Sequence, residues 1–493
     1  MNKSIRFLIR SITCAVMIAA MIQAQSRGGN WPTYGGDAQH SGWEGADARI
    51  TKGTAKDLQL LWKMKLDSQT KGLLALLPPA ILGRLISYRG FKELAFVGTN
   101  ADIVYAIDAD LGKMFWQKHL EYSVAEPQST SSSWACPGGL TATPTMPVPP
   151  PAAGRGGPPN NSIGGPASVF AISSDGRLHR LNTSTGDDMT PPVSVLPANA
   201  RIAGLNMIGN VIYAVTSQGC NGAQDAVWAI DLSGGTPSVA SFDLNGGNAW
   251  GLGGPVVGTD GTVYVQTSSS LLSLSPKDIR LKHSFPIPSA NSKSSTPSPA
   301  VFAYGNRDLI VMATTDGRFL LLDSTSNATL YQTPRIAAEV WGSISSWMDA
   351  EGTRWVLAPV WGPLDFNLKG STTNGPTPNG SIVAFKVEEQ NGKPVLTLVW
   401  TSRDLSSPMP PVITSGVVFA LSAGEFNRQI QRPKGSTHTT LYALDATTGK
   451  ELYSSRNLVT APASLTGLTV ANGRVYFGTI DGTFYAFGMY MEH

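Results

Sequence analysis

The sequence predicts an all-β ring, an eight-bladed β-propeller of four-stranded antiparallel blades closed by an N-terminal strand joining the C-terminal blade. Three observations predict it. One hairpin signature recurs along the chain, the composition suits many short strands, and the last repeat lacks a strand that residues near the N-terminus can supply.

The hairpin signature is clearest in Val104-Tyr105-Ala106-Ile107-Asp108-Ala109-Asp110-Leu111-Gly112-Lys113, which runs on to Trp116. It returns as Leu441-Tyr442-Ala443-Leu444-Asp445-Ala446-Thr447-Thr448-Gly449-Lys450, with weaker copies at 178–186, 227–234 and 319–327. The Asp carboxylate accepts hydrogen bonds from the turn backbone and Gly takes the positive φ at no steric cost. Alternation ahead of the turn gives the strand one inward face. A second signature precedes the first: Ala95-Phe96-Val97-Gly98-Thr99-Asn100 matches Val475-Tyr476-Phe477-Gly478-Thr479, and 170–176 and 311–317 share its outline. Earlier in each unit comes a strand of small residues with Pro, as at 139–147, 253–258, 298–305 and 409–416.

These pieces make four antiparallel strands per unit. Seven units start near residues 74, 139, 203, 251, 298, 342 and 409, and an incomplete one follows from Ser464. Residues Leu58 to Leu66 can complete that last unit and close the ring, which removes its open edge. Seven blades is the alternative count if one weak unit is misread. Repetition of this kind is sought before any motif because it decides the architecture.

Composition agrees. Of 493 residues only 14% are charged, while 52 are Gly and 34 Pro, a profile of strands and tight turns rather than surface helices. The first 24 residues read as a cleaved export signal: Lys3, Arg6 and Arg10, an apolar run from Ile12 to Ile22, then Ala24. That run is too short to span a bilayer, and Ser11-Ile12-Thr13 ahead of Cys14 lacks a lipidation pattern. The expected organisation is a signal peptide at 1–24 and one propeller domain at 25–493, periplasmic or secreted, monomeric and without a membrane span. Three of the 37 basic residues leave with the signal, so the remaining 34 balance 34 acidic ones. A neutral chain gives no electrostatic case for nucleic acid or anionic lipid.

Cys136 and Cys220 then remain, enough for one bridge or two free thiols. Connections between blades and turns between middle strands share one propeller face. That face collects both cysteines from neighbouring units, a placement that favours their pairing. It also collects Trp134, Trp250, Trp341 and Trp361, with Glu126, Asp365, Arg432, Lys434 and His438. Aromatic walls with a few charges suit a planar ligand, although any one Trp has the plainer role of packing between blades. Asp365, in a long loop rich in Gly, Thr and Asn, is the best candidate for a general base or metal ligand. The six histidines show no metal-ligand spacing.

Trp31-Pro32-Thr33-Tyr34-Gly35-Gly36-Asp37, then Leu58 to Trp62, together with the Tyr-Ala-Ile/Leu-Asp-Ala-x-x-Gly-Lys turns, resembles the quinoprotein alcohol dehydrogenases and their relatives over residues 31–488. The resemblance implies pyrroloquinoline quinone (PQQ) in a central funnel with Ca²⁺, an Asp base and a Trp floor. On it, Asp365 is the base and Trp134, Trp250, Trp341, Trp361 and Arg432 contact the cofactor. The adjacent cysteine pair common in these enzymes is missing, and so is the Cys-x-x-Cys-His of a fused haem. Two readings follow. The leading one is a ligand- or protein-binding platform using the loop-rich face. The alternative is a PQQ- and Ca-dependent dehydrogenase oxidising an alcohol or sugar. The sequence leaves open whether the chain is an enzyme.

Overall fold

The computed structural model describes residues 29–45, 47, 49–68, 74–87, 90–120, 136, 138–148, 167–249, 251–287, 297–326, 328–365, 371–424 and 437–490. Within them eight sheets make the eight blades of a β-propeller. From the channel outward, blade 1 consists of Ala80–Ser87, Gly90–Gly98, Ile103–Asp108 and Lys113–His119. Blade 2 pairs Ser168–Ile172, Arg177–Asn182 and Val193–Ser194, with Thr145 bridged to Phe170 on its inner side. Blade 3 is Arg201–Ile208, Val211–Ser217, Ala226–Asp231 and Ser238–Asp243. Blade 4 is Val256–Val257, Val263–Gln266, Ser270–Leu274 and Leu281–Pro286, and blade 5 is Ala300–Tyr304, Arg307–Ala313, Phe319–Asp323 and Thr329–Gln332.

Blade 6 has a split inner strand, Ala337–Val340 and Ser345–Met348, followed by Arg354–Leu364, Gly380–Gln390 and Lys393–Thr401. It therefore begins at Ala337, ahead of the expected start near residue 342. Blade 7 is Val412–Thr414, Val417–Ser422, Thr440–Asp445 and Glu451–Ser454. Blade 8 contributes Thr469–Ala471, Arg474–Gly478 and Thr483–Gly488, and its outer strand is Gln59–Lys65, antiparallel with Lys65 opposite Thr483. The ring closes as the repeat count requires, with eight blades.

The repeat signature works as its chemistry suggests, and it also docks the next blade. In blade 1 the Asp108 carboxylate accepts from Leu111 N–H at 3.2 Å while Gly112, at φ 60°, donates to the Asp108 carbonyl. A Cβ on Gly112 would lie 2.4 Å from the Trp62 ring, whose indole N–H donates to Ala109 O at 2.9 Å. The same dock joins Trp116 to Gly186 and Thr183 O, and Trp400 to Gly449 and Ala446 O. A Trp on one outer strand thus lies flat on the turn Gly of the following blade. Only Gly leaves room for the ring at that turn. Carboxylates tie other seams: Asp102 to Ser174, Asp308 to Thr259, and Glu93 with Asp110 to Arg474.

Residues 29–47 make a circuit of the inner wall. Gly29 bonds Asn472 in blade 8, Trp31 pairs with Ile81 in blade 1, and Pro32 O accepts from Met146 ahead of blade 2. Thr33 then reaches Leu205, Ala38 reaches Asn206 and Val257, Ser41 reaches Ser346, and Trp43 pairs with Ile413. Glu44 returns to Asn472, and Asp47 accepts from Gly473 N–H. The segment meets the wall at or near the turns between inner and second strands in blades 4, 7 and 8, so it closes that end of the channel.

Candidate functional site

The closed end is polar inside. The Asp37 carboxylate holds Ser41 through its backbone N–H at 2.8 Å and its hydroxyl, fixing a tight bend in the segment. His40 follows at φ 51°, a left-handed conformation, with its ring edge-on to Tyr34 at 5.9 Å between centroids. Neither His40 nitrogen has a hydrogen-bond partner, and burial drives its pKa down to about 3, so the imidazole stays neutral. Glu44, beside Asp47, is pushed up to about 8, first by burial and then by that neighbouring charge.

The opposite end opens as a funnel. Its wall is built from the segments that enter the inner strands: Leu74, Leu77 and Pro78 before blade 1, Thr141 to Thr143 before blade 2, and Arg201 to Ala203 in blade 3. Leu252 and Thr466 complete it, and Tyr34 of the N-terminal segment reaches it from below. The empty space is about 320 Å³, counting the open mouth.

Two buried polar side chains stand in this wall. Arg201, 6% exposed, donates to Ser217 Oγ at 3.0 Å and feels the charge of Asp225. Burial nevertheless lowers its pKa to about 10. The Tyr34 hydroxyl lies against the Ser343 side chain, and burial raises its pKa, which keeps it protonated. Cys136 and Cys220 are joined in a disulfide across 84 residues, with Cα atoms 5.5 Å apart. Cys220 lies in the turn after Val211–Ser217, where Gly219 N–H donates to Asp225 at 2.8 Å. The bridge therefore braces the turn between Ser217 and Asp225, two partners of Arg201.

The residues singled out by sequence fall differently. Trp341 and Trp361 stack at 4.8 Å with 21° between planes in blade 6. Trp361 is buried and donates to Pro408 O at 2.9 Å, while Trp341 is half-buried and packs against the core cluster that includes Trp361. Asp365 is half-buried at the end of Arg354–Leu364, its backbone N–H bonded to Ile336 O, and is not part of the funnel wall. His438 is exposed. Trp134, Trp250, Glu126, Arg432, Lys434 and the signal segment 1–24 lie outside the described residues. Sequence reasoning missed Tyr34, His40 and Arg201 as wall and floor. Tyr34 stood inside a motif read only for resemblance, and Arg201 sits in an unremarkable Ala-Arg-Ile-Ala run.

The fold defines an eight-bladed propeller of the kind that several oxidoreductases share. Among solved structures, quinohemoprotein alcohol dehydrogenase from Comamonas testosteroni matches 96% of this chain and 82% of its own, at 15% identity and TM-score 0.57. A europium-containing methanol dehydrogenase matches 95% and 100%, at 12% identity and TM-score 0.59. A computationally designed protein, Ika8, matches 86% and 99%, at 13% identity and TM-score 0.51. No family model matches the sequence, and no curated protein matches it. At these identities the likeness is one of fold, and fold does not carry activity with it.

Proposed function

We propose that this chain is an exported binding propeller whose loop-rich face receives a ligand or protein partner, the closed end of the channel serving structure. The observation that carries this reading is the asymmetry of the channel: residues 29–45 run along one end of its inner wall, while the described residues at the other leave a small funnel beside buried Arg201 and Tyr34. Among the described residues no helix is long and apolar enough to cross a membrane.

Trp134, Trp250 and Arg432, singled out for PQQ, lie outside the described residues, so the fit to the cofactor can be read only from the remaining ones. Among the described residues no three His, Cys, Asp or Glu side chains gather as a metal would need. Asp102, Asp308 and Glu93 are committed to seams between blades. The second reading, a PQQ-dependent dehydrogenase of alcohols or sugars with Asp365 as base, draws its support from the likeness to the alcohol and methanol dehydrogenases.

Titrating the purified chain with PQQ and Ca²⁺ while following Trp fluorescence separates the two. The binding reading expects no saturable change. Quenching that saturates, depends on Ca²⁺ and survives dialysis would overturn it in favour of the dehydrogenase.

A further inference from the structure

The apolar side chains left on the surface are not spread evenly around the ring. Of the eleven large ones exposed among the described residues, five lie at the closed end of blades 8 and 1: Ile86, Phe91, Leu111, Met114 and Tyr490. Phe91 at 73% and Tyr490 at 70% are the two most exposed of the eleven. Single exposed apolar residues are ordinary, whereas a gathered group marks a contact surface. Blade topology gathers these. The turn between Ala80–Ser87 and Gly90–Gly98 and the turn between Ile103–Asp108 and Lys113–His119 both lie at the closed end. Ile86 stands directly opposite Phe91 beside the first turn. Arg474 joins the pieces: its guanidinium holds Glu93, two residues from Phe91, and Asp110, next to Leu111. Its backbone pairs with Gly488, two residues before Tyr490. We propose that this rim rests on an anionic lipid bilayer, with Phe91 and Tyr490 entering the interface and exposed cations facing the headgroups.

Charge and the path of the chain favour lipid as the occupant. The acids of the rim are taken up within it: Asp108 by Lys92 at 2.7 Å, and Glu93 and Asp110 by Arg474. Exposed Asp57 has exposed Lys56 beside it. Arg84 and Lys113, both exposed, then give the rim a local positive excess, although residues 25–493 are balanced as a whole. Aromatic tips flanked by Lys and Arg suit the headgroup boundary, where apolar atoms leave water and cations meet phosphate. The path of the chain agrees. Gly29 is held by Asn472 at 2.9 Å, and its carbonyl lies against Gly83, three residues before Ile86. The apolar run Ile12–Ile22 therefore joins the body at this same rim. On the export reading above, a chain led by that run meets the membrane with this end. The loop-rich end then faces away from the bilayer, open to whatever it receives.

The test is flotation of residues 25–493 with vesicles of phosphatidylethanolamine and phosphatidylglycerol, and with vesicles of phosphatidylcholine alone. The chain is expected to float with the anionic vesicles, and at least about fivefold less with the neutral ones. Raised salt should weaken that flotation, because it screens exposed charges. Phe91→Ser combined with Tyr490→Ser should cut the bound fraction at least about fivefold. Both side chains are exposed, so the thermal midpoint of this variant should match wild type. Val239→Ser combined with Leu281→Ser, on the outer strands of blades 3 and 4, removes two other exposed apolar side chains and should leave flotation unchanged. Equal flotation on the two kinds of vesicle, no loss in the Phe91 and Tyr490 variant, or the same loss in the Val239 and Leu281 variant overturns the proposal. No flotation at all also overturns it and assigns the patch to a protein partner. None of these outcomes touches the funnel, so the binding reading stands or falls by its PQQ titration alone.

Discussion

The two ends of the channel are built from the same inner strands and have opposite characters. At one end residues 29–47 line the wall with Trp31, Asp37, His40 and Glu44, and nearly every contact is to backbone or to a neighbouring blade. At the other end the entering segments leave a gap between them, and a single guanidinium stands in an apolar wall. The difference teaches where each sort of residue can be spared. Changes at the closed end should cost stability with little specific effect on a ligand. Changes at the open end should act on ligand first.

The largest expected break in that division is at Trp31. It is 1% exposed, bridged to Ile81, and lies against Gly36, where an added Cβ would meet its ring at 2.9 Å. Trp31→Ala leaves a cavity in the largest buried cluster and should destabilise the fold by about 3–5 kcal/mol. Denaturant midpoints would measure it, and a loss under about 1 kcal/mol would mean that the segment is an ornament on a ring already closed.

The disulfide tests the other end. Cys220→Ala should cost about 2–4 kcal/mol, through the long loop that the bridge constrains. Thermal midpoints with and without reductant would measure it, and a loss under about 1 kcal/mol would mean that the turn of Cys220 is held by its backbone bonds alone.

The repeat was legible because it is local. The Asp-to-Gly turn around Asp108 and Gly112 is set by hydrogen bonds within a few residues, so its copies can be read one by one. The missing strand of blade 8 was legible by counting, and Gln59–Lys65 fills it. Cys136 and Cys220 could be placed on one face because blade geometry fixes which connections share a side. The circuit of residues 29–47 was not legible, since its partners lie in seven different blades and no local pattern encodes them. Arg201 was hidden for the same reason: its importance comes from burial under a turn, not from its neighbours in sequence. Trp361 shows the converse. Read from sequence as part of a loop, it lies in the strand Arg354–Leu364 with its indole N–H on Pro408 O, a partner far along the chain.

The smallest expected effect sharpens the comparison by pH. Glu44 lies where the circuit rejoins blade 8, with Asn472 N–H on one oxygen and no partner for the other. Its folded pKa of about 8 is raised above the ordinary glutamate value of 4.5, first by burial. The folded chain therefore holds this proton more tightly than the unfolded chain. By linkage, its contribution is complete below the unfolded pKa and is lost as pH rises toward and through the folded value. Wild-type stability should fall between about pH 5 and 8, and Glu44→Gln, neutral throughout, should flatten that decline. Above about pH 8 the variant should be more stable than wild type by about 1–2 kcal/mol. Arg201, at about 10, and Tyr34, raised by burial, both titrate above that range, so the described lining of the funnel adds no slope of its own. A stability that stays level from about pH 5 to 8, or that falls as steeply in Glu44→Gln, would mean that Glu44 is not the group responsible.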